Sequence, residues 1–163
     1  MSPHSLILLA EDDENDAFLF RMALHKVGVL NPIAHARDGE ETLNYLKGIG
    51  SYADRIQYPF PSLVITDLKM PRLTGFEVLA WVQSHLPPNR LPAIVLSGSA
   101  EELDKQRALN LGAKAYWVKP TDFADLLQLA HELNETWFAP MAGSGSRAPI
   151  RLPRGVVAGV SRR

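Results

Sequence analysis

Charged and hydroxyl side chains stand where four short apolar runs end. Glu11, Asp12 and Asp13 follow Leu6-Ile7-Leu8-Leu9-Ala10, and Asp67 follows Leu63-Val64-Ile65-Thr66. Ser97 closes Ala93-Ile94-Val95-Leu96, and Lys119-Pro120 closes the run from Ala113 to Val118. Carboxylates gathered in one crevice about 4 Å apart repel by on the order of 4 kcal/mol per pair at an effective dielectric near 20. Either their pKa values rise or a cation sits among them. The chain has no Cys, and all-oxygen donors favour a hard cation. Mg²⁺ suits one or two carboxylates completed by phosphate and water. With that charge in place a phosphoryl dianion could approach Asp67, which would act as nucleophile and form an aspartyl phosphate. Ser97 would donate a hydrogen bond to a phosphoryl oxygen, and Lys119 would supply a second positive charge.

The elements between these residues alternate in type. The run 6–10 reads as a strand buried on both faces, and Glu14 to Val27 as a helix stopped by Gly28. Residues 32–36 form a weaker strand, and Asp38-Gly39-Glu40-Glu41 has the shape of a capping box opening a helix to Lys47. The stretch 48–61, with Gly48, Gly50, Pro59 and Pro61, reads as an extended loop. The strand 63–66 precedes a capping box at Thr74-Gly75-Phe76-Glu77, and Pro87-Pro88 ends that helix. Strand 93–96 precedes a third capping box at Ser99-Ala100-Glu101-Glu102, whose helix runs to Leu111. Strand 113–118 leads to a last helix from Asp122 to Phe138, amphipathic through Phe123, Leu126, Leu127, Ala130, Leu133 and Trp137. Five strands alternating with five helices predict an α/β fold, a flavodoxin-like doubly wound (βα)5 with a parallel five-stranded sheet in the order 2-1-3-4-5. In that order the first and third strands meet where the winding reverses, so the acids converge beside Asp67.

Composition bounds the partners. In 163 residues, apolar types make up 46% and charged types 21%, enough for one domain with a real core. Residues 1–140 hold 12 Lys and Arg against 18 Asp and Glu, whereas 141–163 hold five Arg and no acid. The acidic body argues against direct nucleic-acid binding. No secretory leader is apparent, and no apolar run approaches the roughly 20 residues of a membrane span. The expected division is therefore a domain over 1–140 and a basic, flexible C-terminal tail over 141–163, in a cytoplasmic protein. The five His show no metal-ligand spacing.

These pieces together resemble the receiver domains of two-component response regulators: Ala10-Glu11-Asp12-Asp13, Thr66-Asp67-Leu68-Lys69-Met70-Pro71 with Gly75, Leu96-Ser97-Gly98, and Tyr116-Trp117-Val118-Lys119-Pro120. Asp67 to Ser97 is 30 residues and Ser97 to Lys119 is 22, spacings like the family's. The resemblance implies that Asp67 is the phospho-acceptor. Asp12 would be a direct Mg²⁺ ligand, Glu11 a ligand through water, and the backbone carbonyl of Lys69 a further ligand beside Asp67. It implies a switch in which Ser97 moves toward the phosphoryl group and Tyr116 turns inward, with Lys119 as ion-pair partner. It further implies a cis 119–120 peptide bond, and places Lys69 and Ser99 where similar domains tune acyl-phosphate hydrolysis.

The resemblance extends to small stand-alone regulators paired with bacterial phytochromes. It thereby implies a sensor histidine kinase of phytochrome type as phosphodonor, and a homodimer through the face of the fourth helix, fifth strand and fifth helix. Such a protein is no enzyme beyond slow self-dephosphorylation, and residues 139–163 are too few for a DNA-binding output domain. Other chemistries fit less well. An aspartate-nucleophile phosphatase wants a second Asp two residues after the first, where Lys69 stands. A flavin or nucleotide module wants a phosphate-cradling loop after the first strand, where the acids stand. Acids near the start of the first helix also complement its macrodipole, which accounts for Asp13, Glu14 and Asp16 but not for Glu11 and Asp12.

Overall fold

Residues 1–2 and 4–138 are described by a computed structural model. Five strands, β1 (Ile7–Ala10), β2 (Ile33–Ala36), β3 (Leu63–Thr66), β4 (Ala93–Ser97) and β5 (Ala115–Val118), pair in parallel in the order β2-β1-β3-β4-β5. This is the expected flavodoxin-like sheet. β1, β3 and β4 are buried at every position, as unbroken apolar runs require of central strands covered on both faces. β2 lies at the edge and is only partly covered.

Strand alternation splits the core into two layers. Ile7, Leu9, Leu63, Ile65 and Trp117 pack against α1 (Glu14–Lys26) and α5 (Phe123–Leu133). Leu8, Ala10, Val64, Val95 and Tyr116 pack against α2 (Gly39–Lys47), α3 (Gly75–His85) and α4 (Glu102–Asn110). Among the described residues, no helix is long and apolar enough to cross a membrane. The tail expected over 141–163 lies outside the described residues.

The helix starts follow their caps, with two departures. Thr74 and Glu77 form the reciprocal capping box of α3. Asp38 caps α2 by accepting from the Glu41 amide at 2.7 Å, but Glu41 reaches back to the amide of Arg37 rather than of Asp38. The box expected at Ser99 does not form. α4 starts after Glu101, which makes no side-chain cap. The Tyr116 hydroxyl holds the Ser99 carbonyl at 2.7 Å, and the Ser99 hydroxyl is drawn to Asp104 at 2.5 Å, so the chain enters the helix later.

Two further expectations are corrected. The last helix is not uniform to Phe138: a π turn over Asn134–Phe138 ends it, where Asn134 donates to the Val27 carbonyl and Phe138 is buried. The Lys119–Pro120 bond is trans, for no cis peptide occurs among the described residues. The Lys119 amide continues the sheet pattern to the Ser97 carbonyl at 2.8 Å, and the bond that follows takes the trans form that X–Pro bonds ordinarily prefer by about 0.5–1 kcal/mol.

The stretch 48–61 is built rather than simply extended. It holds a 3₁₀ turn over Gly50–Tyr52 and a tyrosine cluster, with the rings of Tyr45, Tyr52 and Tyr58 between 4.9 and 6.1 Å apart. Arg55 fastens it by donating to the carbonyls of Leu46 and Tyr58. The Tyr52 hydroxyl donates to the Glu41 carboxylate, tying the loop to α2. Losing a hydrogen bond to a charged, partly buried acceptor costs about 1–2 kcal/mol. Tyr52→Phe should therefore lower the urea midpoint by a corresponding amount, and an unchanged midpoint would show that the bond contributes nothing.

Candidate functional site

The parallel registers bring the carboxyl ends of β1, β3, β4 and β5 to one edge of the sheet. Ala10 lies beside Thr66, and Ser97 beside Val118. The next residues along the chain therefore face a common crevice. Glu11, Asp12 and Asp67 each place a carboxylate oxygen within 4.8 Å of the others. Glu11 and Asp67 are buried and Asp12 is exposed. The Lys119 ammonium reaches Glu11 at 2.5 Å, Asp67 at 2.8 Å and Asp16 at 3.1 Å. Alongside lies an open cleft of about 440 Å³, bordered by Asp67, Lys69, Ser97, Ser99 and Lys119.

Each side chain has a local support. One Asp67 oxygen accepts from the Leu68 amide at 2.6 Å and from the Lys69 amide at 3.4 Å. The Thr66 hydroxyl donates to the Asp67 carbonyl at 2.8 Å. Glu11 accepts from the Asp13 amide, and its own carbonyl is 2.7 Å from the His35 ring. Ser97 is buried and its hydroxyl oxygen accepts from the Ser99 amide at 3.3 Å. Tyr116, fully buried, already points inward onto the Ser99 carbonyl. That burial pushes its phenol above the ordinary tyrosine range.

Electrostatics dominate the crevice. Burial pushes the Glu11 carboxyl up to about 7 against the downward pull of Lys119 and the Asp13 amide. Burial alone would lower the Lys119 ammonium, but hydrogen bonds and charge from Asp67 and Glu11 outweigh it and raise the group above its usual range. A raised lysine contributes its full stabilisation below the unfolded pKa and loses it only as the pH climbs past that value. The effect of removing Lys119 is thus fully visible at neutral pH. Truncating one partner of a buried pair costs about 3–5 kcal/mol. The Lys119 side chain is 18% exposed and Asp16 more so, which reduces the figure to about 2–3 kcal/mol. Lys119→Met should lose that much in urea unfolding at pH 7, with part regained on adding a divalent cation. An equally stable variant would mean that the acids do not need the ammonium.

The donor set is all oxygen, two of its three carboxylates are buried, and the third faces water. That combination fits a hard divalent cation that keeps some of its water. Of the residues singled out from sequence, Glu11, Asp12, Asp67 and Lys119 come together directly. Lys69 and Ser97 border the cleft, and Tyr116 sits behind it on Ser99. Asp16 joins Lys119 although its position in the first turn of α1 matched a macrodipole role. His35 braces Glu11 from the edge strand, and neither its type nor its spacing signalled this.

Residues 7–131 match the family model described as the response regulator receiver domain. Response regulator Rcp1 of Synechocystis sp. (strain ATCC 27184 / PCC 6803 / Kazusa) is 29% identical over 136 residues, 83% of this chain and 90% of its own. The crystal structure of the phosphorylated cyanobacterial phytochrome response regulator RcpA superposes with a TM-score of 0.75 at 34% identity, over 82% of this chain and 94% of that one. The Mn²⁺-bound form of Rcp1 superposes with a TM-score of 0.74 at 28% identity, over 82% and 94% of the two chains.

Proposed function

Because the chain belongs to the response regulator receiver domain family, whose members are signalling proteins rather than classical enzymes, we propose that Asp67 accepts a phosphoryl group from a sensor histidine kinase. One observation carries this reading: Lys119 and the three carboxylates meet at the one strand-end crevice where strand order reverses. A carboxylate oxygen of Asp67 forms a bond to phosphorus as the phosphorus–nitrogen bond of the donor phosphohistidine breaks, and the imidazole takes up a proton. Receiver domains bind a divalent metal, and here the ion is Mg²⁺, with Glu11, Asp12, Asp67 and the Lys69 carbonyl as the protein groups that would hold it. Bound there, the ion would supply positive charge against incoming phosphoryl oxygens. Lys119, 2.8 Å from Asp67, supplies a second positive charge, and Ser97 donates to a phosphoryl oxygen.

The phosphoryl state is read out by the α4–β5–α5 face. The movement begins at Ser97 and the 97–101 segment, which Tyr116 grips through Ser99. A homodimer through this face belongs to the same proposal; the exposed Leu103 of α4 lies on the other side of the helix, toward Phe76 and Ala80 of α3. The likeness to RcpA, a phytochrome response regulator, supports a phytochrome-type kinase, and the proposed place of work is the cytoplasm. Slow self-dephosphorylation resets the site. Lys69 stands where an aspartate-nucleophile phosphatase would place its acid, which leaves turnover without a proton donor.

The test is incubation of the whole chain with acetyl phosphate and Mg²⁺. A hydroxylamine-sensitive phosphoprotein that fails to form with excess EDTA is the expected result. A chain that takes up no phosphate and shows no spectroscopic response to beryllofluoride would overturn the proposal.

A further inference from the structure

The segment that joins Asp67 to α3 contains a backbone feature that must be held from outside. Arg72 has φ of 67°, and the Leu73 amide donates to the Pro71 carbonyl at 2.9 Å. A bond from residue i+2 back to i around a positive φ is the form of the γ-turn that is rare and strained. A non-glycine residue in such a conformation persists when its surroundings over-determine it. The surroundings are on α2. The Arg72 guanidinium pairs with the Asp38 carboxylate, whose side chain is 6% exposed, and lies 3.8 Å from Glu40. The other Asp38 oxygen is occupied in capping α2 at the Glu41 amide. Next in the chain, Leu73 presses its carbonyl so close to Gly39 that a Cβ there would lie 2.1 Å from the oxygen.

We infer that Arg72 is a positioning residue for the metal site. By locking the 68–74 segment to the N-terminus of α2, it sets where the Lys69 carbonyl stands relative to Glu11, Asp12 and Asp67. Neither Arg72 nor Asp38 belongs to the carboxylate cluster, and Arg72 follows the acceptor by five residues. Its side chain, 65% exposed, lies beside Asp38 and Glu40 and does not line the cleft bordered by Asp67, Lys69 and Lys119. The device turns an ion pair into backbone geometry. Without the guanidinium, Asp38 still caps α2, but the strained turn loses its charged restraint and relaxes, taking Lys69 with it. The inference rests on the metal role proposed above, so its test separates the two.

Mn²⁺ and Mg²⁺ affinities of the whole chain are measured by calorimetry for wild type, Arg72→Ala, Arg72→Lys, Asp38→Asn and the Asp38→Asn/Arg72→Ala pair. Amide hydrogen exchange is followed in the same proteins without metal. Partners that orient metal ligands typically contribute 10–100-fold to affinity, and Arg72 acts one contact further out. Arg72→Ala should therefore weaken binding about tenfold and speed exchange at Leu73 and Gly75, whose amides are bonded within the segment. Asp38→Asn keeps an N-cap side chain and should show the same loss. The double variant should lose no more than either single one, and Arg72→Lys should recover most of the affinity. Unchanged affinity and exchange in Arg72→Ala would overturn the inference, as would additive losses in the double variant. A wild-type chain that binds neither ion overturns the metal role and this inference with it. Normal wild-type binding alongside an unaffected Arg72→Ala overturns the inference alone.

Discussion

Asp67→Asn should abolish phosphoprotein formation from acetyl phosphate, a fall of about three orders of magnitude or more, as removal of a nucleophile does. Asparagine is nearly isosteric, so its carbonyl oxygen can still accept from the Leu68 amide as Asp67 does at 2.6 Å. What is lost is the charge and the nucleophilic oxygen now 2.8 Å from Lys119. Two electrostatic changes offset one another in the fold. The repulsion between Glu11 and residue 67 disappears, and so does one partner of the ammonium. The variant should therefore unfold within about 1 kcal/mol of wild type, so that loss of labelling reads chemistry rather than collapse. Gel retardation of the phosphoprotein and its hydroxylamine sensitivity measure the first quantity, and urea unfolding the second. Labelling that persists undiminished in Asp67→Asn would move the acceptor to another carboxylate, with Asp12 and Glu11 the nearest.

The second large effect lies in a glycine with no charge at all. A Cβ on Gly75 would stand 2.0 Å from the Asp67 carbonyl oxygen and 2.9 Å from backbone carbons of Asp67 and Leu68. These are main-chain atoms, so no side chain can turn aside. The Gly75 amide also donates to the Leu68 carbonyl at 2.9 Å, which fixes the first turn of α3 against the acceptor's own peptide. Overpacking of a tight site costs about 1–3 kcal/mol and more where backbone must shift. Gly75→Ala should lose about 3 kcal/mol or more in urea unfolding, and metal affinity should fall with it because residue 67 is displaced. Gly98→Ala is the matched control. No atom lies within 4 Å of its added Cβ, so it should stay within about 0.5 kcal/mol of wild type. A Gly75→Ala protein that unfolds at the wild-type midpoint would mean that the helix can draw back freely from the acceptor loop.

The two effects differ in how visible they are along the chain. Asp67 announces itself as an acid at the end of an apolar strand, with partners whose spacing matches successive βα units. Gly75 can be read as part of a helix start, yet the reason only glycine fits is a contact with residue 67, eight positions back and across a turn. The same division runs through the site. Glu11 and Asp12 are legible because acids that finish a buried strand need a cation or a counter-charge. Asp16 and His35 are not, because an acid in a first helical turn and a histidine on an edge strand have ordinary local explanations. The capping signal at Ser99 was misleading for a related reason. A hydroxyl that can cap α4 is instead held by Asp104, while Tyr116, brought alongside by β5, holds the backbone carbonyl of the same residue.

Local chemistry thus sufficed for the strand runs, most helix starts and the strand order. Apolar periodicity and caps act over a few residues, and right-handed crossovers leave few topologies for five βα units. It sufficed as well for the acids, the hydroxyl and the lysine at the strand ends, since parallel pairing must bring those ends together. Only the tertiary structure decided which acids reach Lys119, that Tyr116 lies inward, that the 119–120 bond is trans and that Arg72 braces the acceptor loop through Asp38. All but the trans bond depend on side chains meeting from elements tens of residues apart. There packing distances of a few ångströms choose among partners that the chain, read in order, leaves equivalent.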